Sequence, residues 1–338
     1  MSKQVGQKMF GDTGVARKSL ELRSVLDRYI RVNFDELINK FVECFEQYAQ
    51  KIVSMQQTGK KAPIAFINFS VLRTNILAKH HILRIDAYDK NWYADRTECS
   101  GEYEASEVYQ WLDTFESILE ESRKKSGGTL TLLDVQTQVF EESYNYLLYV
   151  VEIIRAGMRK VAEIESYQKI NRYEVFTVCV GSFQDVSQIV YKEDTTIKDA
   201  KAVKRSLQAA QQSQYAYEIC NGLNLSEGNY EGGKILFSSF IGSDFTGSSF
   251  KKSVMLGNNF QEAILRNTNM EQIRAIDTNF SGALLENVNF RGAELNHISF
   301  VGSKLINVSF EDVLIATDID FEKAELVDTM VPQMQGNR

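Results

Sequence analysis

The chain has 338 residues, 43% of them hydrophobic and 25% charged, ordinary globular proportions that exclude a wholly disordered protein and allow two domains with sizeable cores. A net charge of −7 without clustered basic residues argues against direct nucleic-acid binding, and a count of two prolines excludes a proline-rich linker or collagen-like segment. The longest apolar stretch, 147–154, contains Glu152 and is followed by Arg155, far short of the ~20 residues a bilayer span requires. The opening residues, MSKQVGQKMFGDTGVARK, lack an apolar signal core, so a cytoplasmic location is expected. Cys44, Cys99, Cys179 and Cys220 are 55, 80 and 41 residues apart, which reads as buried free thiols rather than disulfides or zinc ligands. With three histidines in the whole chain, no metal site or cofactor is expected.

Apolar residues from Leu22 through Phe34, Phe41 and Phe45 to Ile52 recur at three and four, predicting one amphipathic helix or a broken pair over 15–56, ended by Thr58-Gly59-Lys60-Lys61. Residues 64–89 are rich in β-formers and predict a hairpin with strands at 64–73 and 81–89 around a polar tip, AKHH. A helix follows over 105–124, with Val108, Trp111, Leu112, Phe115 and Leu119 on one face, and Gly127-Gly128 punctuates the chain. A longer helix is predicted over 131–167, where Thr131 and Asp134 have capping-box spacing with Asp in place of Glu. The segment YEVFTVCV at 173–180 can join the hairpin in a three-stranded sheet, and a polar helix near 196–214 leads to the last third. Residues 1–218 thus read as an α+β domain, mostly helical with a small antiparallel sheet.

The densest polar and aromatic group in that domain is Arg73, His80, His81, Arg84, Asp86, Tyr88, Asp89, Trp92 and Tyr93. Period-2 alternation puts Arg84, Asp86 and Tyr88 on one face of a strand, and the hairpin is expected to bring Arg73 opposite them, with Trp92 beside. This is a candidate partner or ligand surface with an arginine clamp; the competing reading is a half-exposed sheet face with cross-strand ion pairs. His80 and His81, adjacent on a strand, point to opposite faces and cannot easily chelate one ion, so they mark the polar tip. GxSxG, HExxH and Walker motifs are all absent, and no catalytic constellation replaces them.

From Leu225 to Ile315 every fifth residue is apolar over nineteen consecutive positions, after which one extra residue shifts the phase to Phe321, Leu326 and Val331. The residue two before each centre is small in most units, such as Gly228, Ser243, Ser248, Ala263, Thr278 and Ala293. A period of five fits neither helix nor strand, so each unit is a short extended piece plus a corner. Four such pieces close a square coil, and stacked coils bury columns of like residues. Gly232, Gly242, Gly247, Gly257, Gly282, Gly292 and Gly302 all sit two residues after a centre, where a tight turn favours glycine.

Thr278-Asn279-Phe280-Ser281-Gly282, Ala283-Leu284-Leu285-Glu286-Asn287, Val288-Asn289-Phe290-Arg291-Gly292 and Ala293-Glu294-Leu295-Asn296-His297 carry the unit Ala-(Asp/Asn)-Leu-X-X, with Phe in place of Leu in two of them. Residues 221–331 therefore resemble the pentapeptide repeat family. The resemblance implies a right-handed quadrilateral parallel β-helix of 5.5 coils, roughly 26 Å long at ~4.8 Å per coil. Residues 1–218 are then expected to cap a solenoid domain at 219–338, because an open first coil exposes unpaired backbone groups.

A regular solenoid surface without a catalytic constellation leads to the expectation of a non-enzymatic interaction protein whose flat β faces and helical cap bind protein partners. Some members of the family, among them the quinolone-resistance group, act as acidic DNA mimics at the gate of DNA gyrase or topoisomerase IV, which makes a type II topoisomerase the alternative partner. Against mimicry, residues 221–310 hold eight acids and seven bases, nearly neutral, where duplex DNA carries about one charge per 1.7 Å. Acids gather only at the tip, as Glu311, Asp312, Asp318, Asp320, Glu322, Glu325 and Asp328, without the spacing of a calcium loop. A solvated tip that discourages end-to-end stacking is the reading preferred there. A third class, a small-molecule sensor or enzyme built on the sheet around Arg84 and Asp86, would require a deep pocket there.

Overall fold

A computed structural model describes residues 14–333 and divides the chain into two compact units, Met1–Glu193 and Asp194–Arg338. The N-terminal residues that bear on a signal sequence, and 334–338, lie outside the described residues. In the first unit, α1 (Val15–Gln57) is a single unbroken helix. It packs with α3 (Ser106–Lys125) and α4 (Leu132–Val161). Close contact of α1 with α4 depends on Gly157, where a Cβ would stand 2.3 Å from the Phe41 ring. The capping box at the start of α4 forms: Thr131 Oγ1 accepts from Asp134 N at 3.2 Å, and the Asp134 carboxylate accepts from Thr131 N at 2.8 Å. The Thr131 hydroxyl, which donates to Asp134 Oδ2 at 2.6 Å, and then the Thr131 N–H hold the Asp134 carboxyl below the usual carboxylate range. The helical pattern expected to reach 167 breaks after Val161 and resumes as the one-turn α5 (Glu165–Gln168).

The helices share one core with a five-stranded sheet of order β3-β2-β1-β4-β5. β1 (Ile64–Val71) pairs antiparallel with β2 (Ile82–Tyr88), and β2 pairs antiparallel with β3 (Ser100–Glu104), while β1 pairs parallel with β4 (Arg172–Ser182). The sheet is thus mixed rather than antiparallel. The physical reason is the crossover: helices α3 and α4 intervene between the hairpin and β4, which lets the chain re-enter in the direction of β1. β3 and β5 (Ser187–Asp194) are edge strands rich in polar residues, and their weak apolar alternation hid them in the sequence. The loop before β3 is pinned by Lys61, fully buried, whose Nζ lies 2.6 Å from Asp95 Oδ2. The expected hairpin tip holds a five-residue helix, α2 (Arg73–Leu77), and His81 is buried rather than exposed, its Nε2 3.0 Å from Asp113 Oδ2 and its ring stacked on Tyr109.

The second unit begins before the expected 218/219 boundary, because the polar helix belongs to it. In α6 (Ala200–Gln208), Asp199 caps the N-terminus and Val203 and Leu207 enter the same core as Tyr215, Cys220 and Leu225. Lys204 Nζ, on that helix, donates to Ser226 O in the first coil at 2.7 Å. From Tyr215 the chain winds through about six turns of a four-sided solenoid. One side is a six-stranded parallel sheet and the next but one a four-stranded parallel sheet, while isolated parallel bridges such as Asn269↔Asn289 and Asn259↔Asn279 join the coils on the other two.

The centre residues point inward as columns. Phe240, Phe260, Phe280, Phe300 and Phe321 form an unbroken stack with centroids 5.0, 5.2, 5.4 and 5.1 Å apart. The small inward residues do more than make room. Ser243 Oγ accepts from Leu223 N at 3.1 Å and donates to Cys220 O at 2.7 Å, so a hydroxyl satisfies two buried backbone groups of the coil below. Asn258, large for this position, does the same for Ser238 N and Ile235 O.

All corner residues two after a centre, from Tyr217 to Asp328, have positive φ, whether glycine or not. The phase slip lies earlier than the sequence placed it. Leu295 pairs with Ala316, while Ile315 is 39% exposed, so the extra residue sits in a bulge at 314–315 and Ala316 takes the centre position.

Candidate interaction surface

Outward residues of the solenoid repeat every coil, so each forms a ladder along the axis. On the side centred on Phe250 and Phe290, the residues after the centres alternate strictly in sign: Glu231, Lys251, Glu271, Arg291, Glu311. Lys251 Nζ lies 2.6 Å from Glu271, Arg266 3.0 Å from Glu286, Arg274 2.6 Å from Glu294, and Lys304 2.7 Å from Glu325, each pair one coil apart. Hydrogen bonds from Lys251 and Arg274 lower the Glu271 and Glu294 carboxyls. One corner carries an amide ladder in which Asn287 Nδ2 donates to Asn267 Oδ1 at 2.9 Å and Asn307 Nδ2 to Asn287 Oδ1 at 2.8 Å.

The six-stranded side differs. Leu236, Leu256 and Ile276 stand in direct register on its outer face, beside Val254. At the adjoining corner, Tyr217 and Phe237 stack with centroids 5.1 Å apart and planes at 17°. These residues are half-exposed, and together they form an apolar strip on a surface otherwise balanced in charge. Sequence reasoning missed it by reading at five residues; the signal lies at twenty, where 236, 256 and 276 are all aliphatic.

In the first unit, the structure keeps Arg84, Asp86, Tyr88, Trp92 and Tyr93 in one cluster and places Arg73 apart from it. Arg84 is held by Asp86 (2.8 Å) and Glu98 (2.9 Å), which raises the guanidinium value and leaves an ion-paired surface rather than an open clamp. Tyr88 packs on Tyr93, and Trp92 on Phe66 with centroids 3.9 Å apart. Asp89 Oδ1 accepts from Asn91 N, closing that loop. Arg73 does not face Arg84. It starts α2, its guanidinium lies 6.0 Å from the Phe140 ring, and it lines a different cavity, against α4.

The repeat signal is also decisive by comparison: residues 243–321 match the family model described as a pentapeptide repeat region. The solenoid is a pentapeptide repeat region. Among solved structures, this chain is similar to a pentapeptide repeat protein, Rfr23, from the cyanobacterium Cyanothece 51142 (14% identity, 38% of this chain and 92% of that one, TM-score 0.24). It is similar as well to QnrB1, a plasmid-mediated fluoroquinolone resistance protein (12%, 34% and 71%, 0.28), and to a pentapeptide repeat protein of the Arabidopsis thaliana thylakoid lumen (22%, 32% and 72%, 0.21). No curated protein matches the chain.

At the far end of the pentapeptide repeat the acidic residues spread around the sides instead of converging. Asp312 and Glu311 lie 3.0 and 3.9 Å from Arg291, and Asp318 Oδ2 lies 3.1 Å from His297 Nε2. Glu325 pairs with Lys304, Glu322 with Lys323, Asp320 accepts from Glu322 N, and Asp328 occupies a corner. Among the described residues, no group of three or more His, Cys, Asp or Glu side chains could hold a metal ion, and no helix is long and apolar enough to cross a membrane.

Proposed function

We propose that this is a non-enzymatic interaction protein whose pentapeptide repeat docks a protein partner on the apolar strip of Leu236, Leu256 and Ile276. The observation that carries the reading is that strip's placement: three aliphatic rungs and a stacked aromatic pair on a flat, rigid face, where charge elsewhere is neutralised coil by coil. Backbone ladders fix the rungs, so little ordering entropy opposes binding. The test uses the full chain as bait in wild-type form, as Leu236→Asp/Leu256→Asp, and as Leu284→Asp on a different side. A partner kept by wild type and Leu284→Asp but lost by the double variant supports the reading; identical retention by all three removes it.

The alternation of acid and base weighs against a DNA mimic acting on a type II topoisomerase, because such a mimic needs an unbroken acidic row. The expected result in a gyrase supercoiling assay is no inhibition at micromolar protein; inhibition would reinstate that partner. The pairing of Arg84 with Asp86 and Glu98 supports a structural role for that face over a ligand clamp.

A further inference from the structure

We infer that the first unit holds a binding site for a small monocarboxylate with an apolar body, in the cavity between α2 and α4. This site is separate from the proposed docking face and independent of that reading. The cavity, about 340 Å³, lies at the lower end of the range for small-molecule pockets. Its walls come from the ends of β1 and β4 and from α2, α3 and α4.

Two observations point to a ligand. Tyr109, 1% exposed, lines the cavity, and its phenol oxygen is buried without a hydrogen-bond partner among the described residues. A buried hydroxyl left without an acceptor is costly, and an acceptor oxygen brought by a ligand would satisfy it. Burial also raises the Tyr109 value, so the group remains a donor at neutral pH.

At the rim, the Arg73 guanidinium makes no ion pair among the described residues and lies 6.0 Å from the centroid of the Phe140 ring. Arginine's planar fork matches a carboxylate. Phe140 and Leu147 supply the apolar wall, and Ser182 Oγ donates to Tyr144 Oη at 3.3 Å across the opening.

Glu141 sets the charge limit. It lines the same cavity as Arg73 and accepts from Gln138 Nε2 at 3.0 Å, so the cavity already holds one carboxylate. A dianion such as phosphate would be repelled by it, whereas a single carboxylate on an aromatic or branched aliphatic body pairs with Arg73 and places its apolar part on Phe140.

The test is calorimetric titration of the full chain with phenylacetate, alongside benzylamine, benzyl alcohol and inorganic phosphate. Saturable binding of phenylacetate in preference to the other three is expected, weakened about tenfold in Arg73→Gln and about fivefold in Tyr109→Phe. If a trapped water rather than ligand satisfied Tyr109, Tyr109→Phe would leave the affinity unchanged, and the phenol's role would be overturned. Absence of saturation by ~10 mM, or equal affinity for benzyl alcohol and phenylacetate, would overturn the site itself, as would an unchanged affinity in Arg73→Gln.

Discussion

The Phe280 ring lies stacked between its neighbours, 5.4 Å from the Phe300 centroid with planes at 12°, and 5.2 Å from Phe260 on the other side. Phe290 meets it edge-on at 6.3 Å. Phe280→Ala removes a fully buried ring from a column that cannot collapse, because backbone ladders fix the coil spacing. The expected cost is about 3–5 kcal/mol, and Phe280→Leu should cost less than half of that. Both tryptophans, Trp92 and Trp111, lie in the first unit. Tryptophan fluorescence should therefore keep its urea midpoint while the circular dichroism of the repeat unfolds earlier; a shared shift would mean that the two units unfold as one.

The corners allow a cleaner separation of strain from contact. Gly242 has φ +65° with open space around its Cβ site, so Gly242→Ala should cost only the left-handed penalty of about 1–2 kcal/mol. Gly257→Ala has the same φ but would set its Cβ 2.5 Å from the Phe237 ring, displacing it from Tyr217, and should cost more. Lys252→Gly relaxes a non-glycine corner at φ 61° and should be neutral or stabilising within about 1 kcal/mol. Urea midpoints for the three variants that failed to fall in that order would show that corner strain is not what glycine relieves here.

The solenoid was legible because its period is enforced at every unit: Phe240 to Phe310 cannot leave the core without opening a coil, so the apolar centres repeat in the sequence. The bonds of Ser243 and Asn258 to the coil below were not legible, since a small polar residue two before a centre reads only as small. The hairpin of β1 and β2 was likewise visible in alternation, but the parallel partner of β1 depends on helices folding between them, which no local pattern records. The Arg73 expectation failed for a related reason. Extending the strand to residue 73 placed it opposite Arg84, whereas α2 turns it toward Phe140.

Acid should weaken the repeat in a defined window. The Glu271 and Glu294 carboxyls lie below their ordinary value because Lys251 and Arg274 bond to them, so the unfolded chain binds protons more readily than the folded one. Their contribution is present in full above the ordinary glutamate value of about 4.3 and is lost as pH falls through the lowered folded values. Both groups are half-exposed and open to solvent, so the effect is small and diminished by salt. Urea midpoints from about pH 7 to 3 should decline less steeply below about pH 4.3 in Glu271→Gln/Glu294→Gln than in wild type; equal slopes would assign acid sensitivity elsewhere.

The bulge at Leu314 supplies the sharpest test of the register. Phe310 and Ala316 are successive centres six residues apart, and Leu314 N donates to Ala293 O at 2.9 Å before Ile315 takes its place beside Glu294. Leu314 is 61% exposed, so its side chain contributes little to the core. Deleting Leu314 restores the five-residue step and should leave the repeat folded, with stability changed by no more than about 1 kcal/mol. Deleting Ile306, in a regular coil, instead moves Phe310 out of its column and separates it from Phe290, 5.1 Å away. That deletion should unfold the last coil, seen as a loss of circular dichroism intensity. If the two deletions were equally damaging, the extra residue would be part of the coil's register rather than an insertion tolerated by it.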